Sequence, residues 1–135
     1  MEYLAKINRM EPCELIETKE AKGLPEKCGK KIKDIGADGL EKQFKDEYII
    51  CLFDRGKDMS SEEFARFLED TDSSGSRNKT FVVGGFLGLA DRILKRSNLL
   101  LSFSRMTFSH ELTRVILLEQ IFRALTINKG RLYAK

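Results

Sequence analysis

Gly84, Gly85 and Gly88 in the run VVGGFLG stand where a short apolar stretch gives way to a predicted helix. Glycine at such a junction lets backbone N–H and C=O groups approach a ligand closely, and open α/β sheets bind ligands off the carboxyl ends of their strands. The spacing GGxxG matches neither GxGxxG nor a phosphate loop, which would need GK[ST]. A merely tight turn would account for it as well. A second junction of the same kind lies in LLLSFSRMTFSHELTRVILL, where Ser102, Phe103, Ser104, Arg105, Met106, Thr107 and Phe108 separate two apolar elements without a Gly or Pro. Leu52 and Phe53, at the end of a third apolar run, make a third contributor. Backbone amides, hydroxyls, a thioether and aromatic rings offered from three strand ends suit a flat ligand with polar edges, such as adenine. Ordinary core packing is the competing reading of Met106, Phe103 and Phe108.

His110, the only histidine, opens the helix after that loop, with Arg114 one turn on and Glu119 and Arg123 spaced as a helix pair. Spacing alone assembles no Ser/His/Asp or Cys/His arrangement. The three cysteines, Cys13, Cys28 and Cys51, form an odd set without a CxxC motif, which argues against a disulfide framework or a metal site.

The elements that would position these residues follow a regular rhythm. PCELIET (12–18) reads as a short strand, and residues 25–45 as a solvated amphipathic helix interrupted by Gly36 and Gly39. EYIICLFD (47–54) is a continuous apolar run ending at Arg55-Gly56, as a strand covered on both faces should read. Ser60 with Glu63 three places on is a capping box, and Phe64, Phe67 and Leu68 give the following helix its inner stripe. TFVVGG (80–85) and residues 98–102 read as further buried strands, with a helix between them at 89–95. Strands alternating with helices predict a parallel α/β sheet. The last helix, about 109–128, carries Leu112, Val115, Leu118, Phe122 and Leu125 in one stripe, widened by Ile116, Leu117 and Ile121. It must bury two faces, either against its own sheet and a second subunit or at the centre of a monomer.

With 135 residues the chain fits one domain. It has no stretch apolar enough to span a membrane and no secretory signal core, which makes the cytoplasm the expected compartment. The formal charge of +3 is unevenly spread. Residues 76–135 hold 11 Lys/Arg against 3 Asp/Glu, while residues 58–75 hold 1 against 6. A basic carboxyl half suits a polyanion such as nucleic acid, although a solvated basic face with no partner has the same composition.

The run FVVGGFLGL, followed by LSFSRMTFSHELTRVILLEQIFRAL and INKGRLY, resembles the bacterial family that methylates N3 of a pseudouridine in 23S ribosomal RNA of the large subunit. The resemblance is specific over residues 80–133 and extends, more weakly, from Tyr3 through LFDRGKDMSSEEFARFL. It implies a SPOUT-class α/β fold whose carboxyl part, about residues 80–128 of a single domain spanning 1–135, is a trefoil knot. It implies S-adenosyl-L-methionine as cofactor, held by Leu52, Gly84, Gly85, Gly88 and the loop Phe103, Ser104, Arg105, Met106, Thr107 and Phe108. It places His110, Arg114 and Tyr133 on the substrate side as catalytic residues, and implies a homodimer acting on rRNA in the assembled ribosome, with no metal and no membrane. Three departures stand out. Phe86 replaces the family's usual Pro, Ala134 replaces a His after the terminal Tyr, and the family's first strand and most of its first helix have no counterpart before Tyr3. These departures keep open a protein of the same class that binds S-adenosylmethionine or RNA with impaired catalysis.

Overall fold

The computed structural model describes residues 2–16, 29–74, 78–84 and 88–130. The chain divides into two compact units, one made of Met1–Ile16, Met59–Ser76 and Glu111–Lys135 and the other of Glu17–Asp58 and Arg77–His110.

The second unit contains the sheet. Strands β1 (Tyr48–Asp58), β2 (Lys79–Val82) and β3 (Leu99–Ser102) are all parallel and ordered β2-β1-β3, as their apolar runs predict. Cys51 pairs with Val82 on one side and Leu100 on the other, which fixes the register across the sheet. Asn98 locks the start of β3 to β1, its backbone N–H donating to the Ile49 carbonyl at 2.7 Å and its Oδ1 accepting from the Ile49 N–H at 2.8 Å. Helices α1 (Glu2–Asn8) and α2 (Gly29–Gln43) precede the sheet in sequence, α3 (Ser61–Ser74) follows β1, and α4 (Asp91–Arg96) joins β2 to β3. Ile49, Cys51, Val82 and Ile93 form the sheet unit's core with Ala37 and Phe44 from the α2 region. Arg92 of α4 pairs with Asp38 and, at 3.1 Å, with Glu41, both on α2.

The first unit is helical and contains α1, α3 and all but the first residue of α5 (His110–Asn128). Ile7, Leu118 and Leu125 are its buried centre, with Tyr3, Leu4, Met10, Ile121 and Phe122 packed around them. Phe64, Ala65 and Leu68 are the buried residues of α3. Polar contacts tie α3 to α5: Ser61 Oγ donates to Gln120 Oε1 at 2.7 Å, and Asn128 Nδ2 donates to the Ala65 carbonyl at 2.9 Å.

Three expectations change. Residues 12–16 form no strand, and Leu15 and Ile16 are exposed, so the apolar pair in PCELIET does not enter a sheet. Helix α2 runs unbroken through Gly36 and Gly39, since each glycine costs only about 1 kcal/mol in a helix interior. Strand β1 passes through Arg55-Gly56 and ends at Asp58, because this glycine belongs to an irregularity within the strand and not to a turn after it.

Candidate functional site

A parallel sheet brings the carboxyl ends of all its strands to one edge, and here that edge collects most of the residues singled out from the sequence. Leu52 lies one place beyond the Cys51–Val82 row and pairs with Leu101, while Gly84 follows the end of β2 and Phe103 the end of β3. Leu52, Phe103, Ser104 and Phe108 are half-buried, whereas Arg105, Met106 and Thr107 are exposed, Met106 to 74%. The two ends of the loop are thus partly covered while its middle faces solvent.

The turn after β2 is closed by glycine. A Cβ on Gly84 would stand 2.8 Å from the carbonyl carbon of Gly88, and Gly88 itself has φ +82°. The two glycines thus bring their backbones closer than any residue with a side chain at position 84 would allow. The loop after β3 is shaped by its own hydroxyls. Ser102 Oγ lies 3.1 Å from the Asp54 carbonyl oxygen and 3.0 Å from that of Ser104, and the Met106 N–H donates to Ser104 Oγ at 3.0 Å. Arg55, in the irregular part of β1, stacks its guanidinium over the Phe53 ring with 5.0 Å to the centroid.

His110 is the first residue of α5 and Arg114 stands one turn further along it, both half-buried. Arg114 belongs to the helical unit, as do Glu119 and Arg123, which form the expected i,i+4 pair with Nη2 2.6 Å from Oε2. Gly85 and Tyr133 lie outside the described residues, as do Phe86, Ala134 and Cys28. Cys13 and Cys51 are free thiols, and burial pushes the Cys51 thiol up to about 11, so it is no nucleophile near neutral pH. Among the described residues no group of three or more His, Cys, Asp or Glu could hold a metal ion, and no helix is long and apolar enough to cross a membrane.

Gly56 escaped notice as a site-forming residue, and Ser102 was read only as one hydroxyl of the loop. A glycine inside an apolar strand run is a bulge signal, and Arg55-Gly56 carried it. Nothing in the sequence marks Ser102 out from the loop's other hydroxyls.

The donor set fits an adenosyl cofactor better than a metal or a phosphate. It offers half-buried apolar side chains at Leu52, Phe103 and Phe108, closely approaching glycine backbone at Gly84 and Gly88, and hydroxyls at Ser104 and Thr107.

Comparison with known proteins identifies the family. A family profile described as "Predicted SPOUT methyltransferase" matches residues 1–134. A protein of Enterococcus faecalis named ribosomal RNA large subunit methyltransferase H is 41% identical over 139 residues, covering 99% of this chain and 87% of the relative. Proteins of the same name from Clostridium botulinum (strain Eklund 17B / Type B) and Ligilactobacillus salivarius are 41% and 44% identical, covering 99% and 90% of this chain and 87% and 72% of the relatives.

Proposed function

The chain belongs to the SPOUT methyltransferase family, and we propose that it transfers a methyl group from S-adenosyl-L-methionine to N3 of a pseudouridine in large-subunit ribosomal RNA. The observation that carries this reading is the single sheet edge from which Leu52, Gly84 and the loop beginning at Phe103 leave adjacent parallel strands. Leu52, Gly84, Gly85, Gly88 and Phe103–Phe108 would hold the cofactor, which supplies an electrophilic methyl on a sulfonium. The region from about residue 80 to 128 is read as the knotted part of a single domain spanning 1–135.

The reaction asks two things of the protein: alignment of the base nitrogen with the methyl group, and removal of the N3 proton. Of the three residues assigned to the substrate side, His110 can accept a proton and Arg114 cannot, so His110 is the candidate base. Arg114 offers a fixed fork of donors to a carbonyl or phosphate oxygen, and Tyr133 a phenol. The excess of basic residues after residue 76 suits contact with rRNA in the assembled ribosome, the relatives' names specify large-subunit ribosomal RNA, and the cytoplasm is where such particles would be met. A homodimer belongs to the same reading, supported by Leu112 and Val115 of α5, which are 48% and 45% exposed.

The test is transfer of labelled methyl to ribosomes purified from a strain lacking the modification, followed by mapping of the product. Label at N3 of pseudouridine in the large-subunit RNA is the expected result. Binding of S-adenosylmethionine without transfer would replace the enzyme with a binding protein of the same class, and label elsewhere would overturn the substrate.

A further inference from the structure

The carboxyl end of β1 leaves the ladder and returns. Leu52 and Lys57 both pair with Leu101, so residues 53–56 form an excursion between them. Gly56 presses this excursion onto β3, for a Cβ there would stand 2.7 Å from both the carbonyl carbon and the oxygen of Leu100. Ser102, the last residue of β3, is only 3% exposed, and its hydroxyl reaches two carbonyls. One is that of Asp54 inside the excursion, at 3.1 Å, and the other that of Ser104 in the following loop, at 3.0 Å. A hydroxyl has one proton, so the two carbonyls share it in a three-centre bond. Ser104 extends the chain by accepting the Met106 N–H on its own hydroxyl.

A loop whose Arg105, Met106 and Thr107 are exposed has little apolar burial to hold its shape, and ordering it upon ligand binding would weaken affinity. We propose that Ser102 is a positioning residue that clamps the β1 excursion to the Ser104–Thr107 loop and so holds that loop in its cofactor-binding shape before the cofactor arrives. This rests on the assignment of the loop to S-adenosylmethionine. The Ser102 hydroxyl is engaged by the Asp54 and Ser104 carbonyls, so its part is to hold backbone in place.

The experiment compares wild type with Ser102→Ala by three measurements. Hydrogen exchange over residues 103–108 in the unliganded protein should quicken about tenfold, the scale of one lost buried hydrogen bond. Calorimetry with S-adenosylmethionine should show affinity falling by a similar factor, about tenfold, and KM for the cofactor should rise with it while kcat changes less than about twofold. Unchanged exchange in the variant would overturn the clamp, and faster exchange with unchanged affinity would overturn its role in cofactor binding. Failure of the wild type to bind S-adenosylmethionine would count against the functional assignment alone, because the exchange measurement judges the clamp without ligand. Should Ser102→Ala fail to fold, Gly56→Ala, which pushes the excursion off Leu100 and stretches the Ser102–Asp54 contact, is expected to give the same three changes.

Discussion

Gly84 and Gly88 approach each other so closely that a Cβ on Gly84 would stand 2.8 Å from the Gly88 carbonyl carbon and 3.1 Å from its Cα, with Leu89 Cγ at 3.0 Å. Two of these neighbours are backbone atoms and cannot step aside by changing rotamer. The turn therefore requires glycine at position 84 for its own closure, before any ligand is considered.

Replacing Gly84 by Val should force the turn open. The expected cost is about 1–3 kcal/mol of stability, the range for forcing extra carbons into a packed site, with S-adenosylmethionine binding lost as the strand end moves. Thermal unfolding and calorimetry check the two effects separately. Full affinity in a destabilised variant would place the cofactor away from this turn.

The alternation of strand and helix was legible because it rests on burial, and burial writes apolar runs directly into the sequence: YIICLF, TFVV and LLLS became β1, β2 and β3. Local caps were equally legible, since Ser60 and Glu63 interact over three residues. What escaped was set by contacts between segments distant in sequence. The excursion of β1 exists because Gly56 meets the backbone of Leu100, and the buried role of Ser102 exists because Asp54 turns a carbonyl toward it, so neither shows in a local window. The residues of the loop were identified by type, but the three-centre bond that shapes it depends on the strand register beneath.

The amino end of α3 offers a direct measure of local chemistry. The Glu63 N–H donates to Ser60 Oγ at 3.0 Å, and the Ser60 N–H donates to Glu63 Oε1 at 2.8 Å, a complete capping box. Ser60→Ala should destabilise by about 1 kcal/mol, and Ser60→Asp by less, because a carboxylate still accepts at that position. Urea unfolding of the two variants gives the comparison, and equal loss in both would show that the hydroxyl acts in another way.

Cys51 is fully buried in β1, and burial raises its thiol to about 11 from an ordinary 9.0, with Ser97 partly offsetting the rise through a hydrogen bond. The folded state thus holds this proton more tightly than the unfolded chain does. Its contribution is complete below pH 9 and is lost as the pH rises toward about 11, so stability should fall over that window. Cys51→Ala should flatten the slope while lowering stability at pH 7, and unfolding curves from pH 8 to pH 11 are the measurement. An unchanged slope would assign the alkaline loss to other groups.

Two apolar residues of α5 should answer substitution in opposite ways. Phe122 packs within the helical unit against Ile7, Leu118 and Leu125, its ring centroid 6.4 Å from that of Tyr3, and Lys6 Nζ sits 5.6 Å from both rings. Val115, two turns earlier, is 45% exposed beside Leu112 at 48%. Phe122→Ala removes intramolecular packing and should cost about 3 kcal/mol or more, lowering the unfolding midpoint with no direct effect on association. Val115→Glu buries nothing new in a monomer and should leave stability within about 0.5 kcal/mol, yet a carboxylate in the middle of an apolar dimer interface would be desolvated without a partner. Sedimentation should therefore show Val115→Glu dissociating at micromolar concentrations at which the wild type is dimeric. A Val115→Glu protein that remains dimeric would move the interface off this face of α5, and a wild type that is monomeric would remove the dimer from the proposed function.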